Sequence, residues 1–239
     1  MAVYITGDCH GQFDHIENFC DRMKTTREDT MIILGDAGIL YYGTDRDDKL
    51  VKRLDKFPIK FFVIRGNHEM NASHHPDCER VQSADHNVAG TVFRHKLSEN
   101  IQFAINGNQY VVDGIPCAVC GGAYSVDKYY RIFNIGCSWF YDEQPDAEER
   151  RRMECNISEV KPVAILTHTC PARFIPREMF LTGINQKSVD NRTEDWLDEV
   201  YSTVSESDQF ERWYCGHYHT DKAIDKIHFL FNTIELFMQ

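Results

Sequence analysis

The apolar positions of this chain fall into short runs, and the polar residues that follow those runs are of the same few types. Residues 2–6, AVYIT, end at Gly7, and from there Phe13, Ile16, Phe19 and Met23 recur at the three- and four-residue spacing of one helix face. The run MIIL (31–34) stops at Gly35. A charged segment at Asp45–Phe57 carries Leu50, Val51 and Leu54 on one side, and KFFVI (60–64) stops at Arg65-Gly66. Strand, helix, strand, helix, strand is the order this predicts. The connections are long enough for βαβ crossovers, so the sheet should be parallel.

The middle of the chain changes period. IQFAI (101–105), QYVV (109–112) and IPCAVCGG (115–122) are short, close together and punctuated by Asn-Gly and Asp-Gly. Those dipeptides favour tight turns, which predicts an antiparallel meander or a second sheet. A solvated helix is expected over 141–154, with Pro145 near its start and mixed charge at Glu148–Arg152. VAILTH (163–168) reads as another buried strand. An irregular stretch then runs to about Thr193, where TEDWLDEVYSTV (193–204) has a helical pattern, and RWYCGH (212–217) and IHFLFNTIELF (227–237) end the chain as strands. With no repeat, low-complexity tract or linker, residues 1–239 read as a single domain.

Composition narrows the partners. The 239 residues are 42% hydrophobic and 26% charged, an ordinary globular balance with enough chain for one large core. A net charge of -11 argues against general nucleic-acid binding, which needs a basic face. The N-terminus meets a polar loop after six residues, unlike a signal peptide, and no run approaches the roughly 20 apolar residues that span a bilayer. The expectation is a cytoplasmic protein with no membrane partner and nine reduced cysteines. Cys117 and Cys120 lie three apart on a strand, so they face opposite sides and read as structural. His74, His75, Cys78 and His86 follow no zinc spacing and read as a polar loop, and His15, His95 and His228 as structural residues.

The chemistry concentrates where the buried runs end. GDCHG carries Asp8 and His10, GDAG carries Asp36, and RGNHE carries Arg65, Asn67 and His68. LTHTC adds His168, and CGHYH adds His217 and His219. In an open α/β sheet the carboxyl ends of the strands share a crevice where ligands bind. Turn formation alone explains Asp or Asn in any one loop. Five such loops, all at strand exits, predict one rim of oxygen and nitrogen donors, which suits Mn²⁺, Fe and Zn²⁺.

The blocks G-D-x-H, G-D, G-N-H-[ED], a lone His and G-H-x-H occur in that order over residues 7–219. In this the chain resembles the calcineurin-like metallophosphoesterases. The resemblance implies a four-layer α/β/β/α sandwich of two facing mixed sheets. It also implies phosphate-ester hydrolysis by a hydroxide that bridges two divalent transition-metal ions, Mn²⁺ first, with Fe or Zn²⁺ as alternatives. By the same resemblance Asp8, His10 and His219 would hold one ion, Asn67, His168 and His217 the other, and Asp36 would bridge them. His68 would be the catalytic histidine, and Cys9 a spectator.

RGNHE also resembles the phosphoprotein-phosphatase branch, where the Arg grips a phosphate, so Arg65 is read as a catalytic and substrate-binding residue. The second block, GDAGILYYG, lacks that branch's further Arg, and GHYH fits the broader set that contains phosphodiesterases. In GGAYSVDKYYR (121–131) the Gly pair would let backbone approach a ligand. Tyr124, Ser125 and Lys128, with Arg131 and Asn67, are candidate substrate contacts, and Arg173 and Lys187 are placed at the mouth of the site. The expected activity is that of a phosphomonoesterase acting on a small phosphorylated substrate or phosphopeptide. The alternatives are a phosphodiesterase of nucleotide-type diesters and a non-catalytic binding scaffold. A scaffold would be expected to lose ligands, whereas all eight positions are kept.

Overall fold

In the computed structural model, which describes residues 1–134, 136 and 138–239, fourteen strands among the described residues form two seven-stranded sheets. The first sheet contains β1 (Val3–Thr6), β2 (Thr30–Ile33), β3 (Lys60–Val63), β4 (Cys78–Gln82), β6 (Thr91–His95), β7 (Ile101–Ala104) and β14 (Glu235–Leu236). Its order is β14-β1-β2-β3-β7-β6-β4, with β1, β2, β3 and β7 mutually parallel. The second contains β5 (Val88–Ala89), β8 (Gln109–Val112), β9 (Ile115–Cys120), β10 (Ala164–Thr167), β11 (Arg212–Cys215), β12 (Lys222–Ile224) and β13 (Ile227–Phe229). Its order is β12-β13-β11-β10-β9-β8-β5, parallel from β9 through β13. Both sheets are mixed, as expected.

Strand alternation makes the layers. Ile5, Ile32 and Phe62 of the first sheet pack against Val119, Leu166 and Tyr214 of the second, between the sheets. The intervening residues Met31, Ile33, Phe61 and Val63 face outward onto α1 (Asp14–Met23) and α2 (Asp48–Leu54). Ile165 and Trp213 likewise face α4 (Ala147–Val160) and α5 (Arg192–Val204), which follow the short α3 (Lys128–Phe133) in the chain. Each fully buried side chain of this kind contributes about 1.5–3 kcal/mol. Burial on both faces explains why the central strands read as unbroken apolar runs.

Three expectations need correction. The three short middle runs do not form one meander. QYVV and IPCAVC make the β8–β9 hairpin, but IQFAI enters the other sheet beside β3, with Phe61 opposite Ile101. The Asn-Gly turn is real, yet it carries the chain between sheets, which no local pattern reveals. The helix predicted over 141–154 begins instead after Asp146, whose side chain accepts from the Glu148 and Glu149 N–H groups at 2.8 Å. Glu149 returns the contact to the Asp146 N–H at 3.1 Å, and this capping box sets the boundary. Part of the stretch read as a polar loop around Cys78 forms the β4–β6 hairpin. Cys117 and Cys120 do face opposite sides, one between the sheets and one under the helices. No helix among the described residues is long and apolar enough to cross a membrane.

Candidate metal centre

The loops after β1, β2, β3, β10 and β11 carry Asp8 and His10, Asp36, Asn67 and His68, His168, and His217 and His219. Among the described residues nine non-glycine residues have positive φ, and His10, Asp36, His217 and His219 are four of them. Such backbone costs on the order of 1–3 kcal/mol per residue and persists only where the surroundings enforce it. Two glycines let the loops close. A Cβ on Gly66 would lie 2.0 Å from Asp36 Oδ1, and one on Gly216 would lie 2.3 Å from Asp8 Oδ1.

The donor atoms converge. Asp8 Oδ1 accepts the His217 N–H at 2.9 Å, while its Oδ2 is buried with no hydrogen-bond partner. That free oxygen lies 3.3 Å from His219 Nε2 and 3.8 Å from His10 Nε2, and the two imidazole nitrogens are 2.9 Å apart. Asp36 Oδ1 accepts the His68 N–H at 2.8 Å and lies 3.5 Å from His168 Nε2. The sets Asp8–His10–His219, His10–Asp36–His68 and Asp8–Asp36–His168 each bring their donor atoms within 4.8 Å of one another. Asp36 belongs to two of them. On the far side His168 donates Nδ1–H to the Leu34 carbonyl at 2.7 Å and turns Nε2 to within 2.8 Å of Asn67 Oδ1. The His217 ring packs 5.0 Å from that of His168.

Charge in this cluster is set by burial and by close neighbours. Burial would raise the Asp36 pKa, but the His168, His68 and His10 imidazoles hold it well below the carboxylate range. Burial also works against a charged His168, yet Asp36 and Asp8 outweigh it and raise its pKa. Burial, with His168 adding to it, lowers His217 to about 3, leaving a neutral imidazole. The Asp8 carboxylate beside it raises His219. An orphaned buried carboxylate oxygen facing several nitrogen lone pairs is what a cation site offers, and the donors are all oxygen or nitrogen. The residues fit divalent transition-metal ions.

His68, the third donor of the His10–Asp36–His68 set, has its Nε2 3.7 Å from Asp127 Oδ1. Burial lowers its pKa, while Asp36 and Asp127 act to raise it. Asp127 carries no signal of its own in the sequence, though it lies between the candidates Ser125 and Lys128. Glu69, the acidic residue that closes RGNHE, is a second carboxylate at these loops. Its carboxylate accepts the Gly66 N–H at 2.9 Å and the Gly38 N–H at 3.2 Å, tying two ligand loops together. Burial raises its pKa to about 7.

The remaining candidates divide. Ser125 accepts the Asn67 Nδ2–H at 2.9 Å, and Arg131 donates to Ser125 Oγ and to the Asn67 carbonyl, each at 3.3 Å. Both therefore stand behind Asn67, as supports. Arg65 turns away. Its guanidinium lies 3.2 Å from Glu149 and 3.5 Å from Asp142, in a separate cleft of about 570 Å³ that Lys128 also lines. The Lys128 ammonium sits 4.3 Å from the Trp139 ring centre. The Gly121–Gly122 pair brings backbone against Arg65 itself, with the Gly122 N–H bonded to the Arg65 carbonyl at 2.8 Å. Arg173 pairs with Asp198 at 2.8 Å, and neither it nor Lys187 lines the cleft at the histidines.

That cleft, about 400 Å³, has His10, Asp36, Asn67, His68, His217 and His219 among its lining and reaches Tyr124, Asp127 and Glu194. A wall of Ile175, Met179, Phe180, Leu181, Ile184 and Val189 faces the histidines. These residues come from the stretch that has no periodic pattern, so their shared surface was not legible in the sequence. No Lys or Arg is among the described residues that line the cleft.

Residues 1–221 match the family of calcineurin-like phosphoesterases, and the chain belongs to that family. It is accordingly a phosphoester hydrolase that uses divalent metal ions. No curated protein matches it. Among solved structures it is similar to the phosphopantetheinyl hydrolase (PptH) from Mycobacterium tuberculosis. The TM-score is 0.49 at 13% identity, over 96% of this chain and 88% of that one. It is also similar to AQ665 from Aquifex aeolicus, a protein of unknown function, with a TM-score of 0.35 at 10% identity over 97% and 89% of the two chains.

Proposed function

We propose that this chain is a cytoplasmic phosphomonoesterase that acts on a small organic phosphate with two Mn²⁺ ions bound. The observation that carries the reading is the cleft at the histidines, which joins the donor cluster to one apolar wall. A monoester has one organic substituent, and that wall offers a place for one. Residues 1–239 are read as a single domain because the core between the sheets draws on both of them. The eight described cysteines are free, as a reducing compartment would leave them.

Asp8, His10 and His219 would hold one ion, Asn67, His168 and His217 the other, with Asp36 shared. Two bound ions lower the pKa of a water and clamp the oxygens of an in-line displacement. His68 is the group placed to move a proton. Its ring borders the cleft but is not needed to complete the proposed ligand set; burial lowers its pKa, and the Asp36 and Asp127 carboxylates offset part of that. From there it can protonate a departing oxygen.

A phosphodiesterase is the second reading, and one observation favours it. With no Lys or Arg lining the cleft among the described residues, a diester monoanion needs less countercharge than a monoester dianion. The test is a panel of aryl monoesters, aryl diesters, nucleotides and phosphopeptides, assayed with Mn²⁺ restored after chelation. Monoesters should be hydrolysed fastest. Faster diester hydrolysis would transfer the assignment to the second reading, and no hydrolysis with any metal would point to a binding scaffold.

A further inference from the structure

Glu194 stands in the first turn of α5, only 3% exposed, and lines the cleft that holds the donor cluster. Its Oε1 accepts the Thr169 hydroxyl at 2.8 Å, next in the chain to His168. Its Oε2 is buried and has no hydrogen-bond partner. Buried carboxyl oxygens are rarely left so. No Lys or Arg lines the cleft among the described residues, so none there neutralises it. Burial, with the nearby Asp195 and Asp190 charges adding to it, raises its pKa to about 7. Near neutrality both protonation forms are therefore available. A hydroxyl or an amide can pair with either form, since each offers both a donor and an acceptor.

The same cleft carries an apolar wall of Ile175, Phe180, Leu181 and Ile184, with Gln186 and Asn191 the polar residues from that part of the chain. A sugar phosphate would leave hydroxyls unpaired against that wall, and a charged peptide would leave its charges there, both at a cost. We propose that Glu194 is a specificity residue: it takes a hydroxyl or amide on the organic part of the substrate, which is the phosphate ester of an otherwise apolar alcohol. This rests on the phosphomonoesterase reading of the adjoining cluster.

Binding, without turnover, tests it. The Mn²⁺-loaded protein is titrated calorimetrically with inorganic phosphate and with benzylphosphonates that carry methyl or hydroxymethyl at the meta or para position. One hydroxymethyl compound should bind about tenfold more tightly than its methyl partner, the size of a hydrogen bond to a charged group. Glu194→Leu should abolish that preference. Glu194→Gln, which can still accept from Thr169, should retain part of it. Equal affinity for methyl and hydroxymethyl compounds in the unaltered protein, with phosphate binding intact, would overturn the role of Glu194 alone. An unchanged preference in Glu194→Leu would do the same. Failure of phosphate and all the phosphonates to bind would overturn the reading of the cluster, and this inference with it.

Discussion

Asn67 Oδ1 and His168 Nε2 face each other at 2.8 Å, and each is oriented from behind. Asn67 gives its Nδ2–H to Ser125, so the amide oxygen is the atom that points inward. His168 gives its Nδ1–H to the Leu34 carbonyl, so a neutral ring presents a lone pair. With the ring charged, Nε2–H donates to the amide oxygen; with it neutral, as ligation requires, the two are acceptors that a cation would share with Asp36.

Ser125→Ala should release the Asn67 amide to rotate. Outer-shell partners of this kind are worth about 10–100-fold in metal affinity. The variant should keep its fold and lose one of its two ions on dialysis, as read by elemental analysis. Unchanged affinity and stoichiometry would show that Ser125 does not orient the ligand.

Asp36→Asn should strip more metal than His219→Ala. Asp36 lies in two of the three donor groupings, His219 in one. Metal content should fall toward zero in the first variant and by about half in the second, since a bridge serves both ions. Equal content in the two would remove Asp36 from the bridging position.

His68→Ala should keep both ions and lose activity unevenly. General acid catalysis is worth about 10²–10⁴ in rate, and an alkoxide leaving group depends on it far more than p-nitrophenolate. The loss should approach that range on alkyl phosphates and be much smaller on p-nitrophenyl phosphate. Asp127→Asn should show the same asymmetry in weaker form. An equal loss on both substrates, with metals in place, would mean that His68 only shapes its loop.

Arg65→Ala should act on stability. Its guanidinium is buried between Asp142 and Glu149, and breaking a buried ion pair costs about 3 kcal/mol. For a domain of this size that is a fall of roughly 6–12 °C in Tm. Kcat/KM for monoesters and diesters should change by the same factor. Selective loss on monoesters at an unchanged Tm would place Arg65 on the phosphate after all.

The loops that carry the donor cluster were legible in the sequence because each donor lies within a few residues of the end of a buried strand. The run of apolar positions locates the strand end, and parallel strands bring their carboxyl ends to one edge of a sheet, so Asp8, Asp36, Asn67, His168 and His217 meet with no further information. Arg65 shows the limit. Its backbone shares the loop with Asn67 and His68, but the direction of a long side chain is decided by what packs around it, and Asp142 and Glu149 lie far along the chain. Asp127 beside His68, Ser125 behind Asn67, Glu194 and the wall from Ile175 to Val189 have the same origin. They come from segments whose sequences carry no period or, for Glu194, from a helix distant along the chain. Their placement depends on long-range packing that the energies of neighbouring residues do not encode.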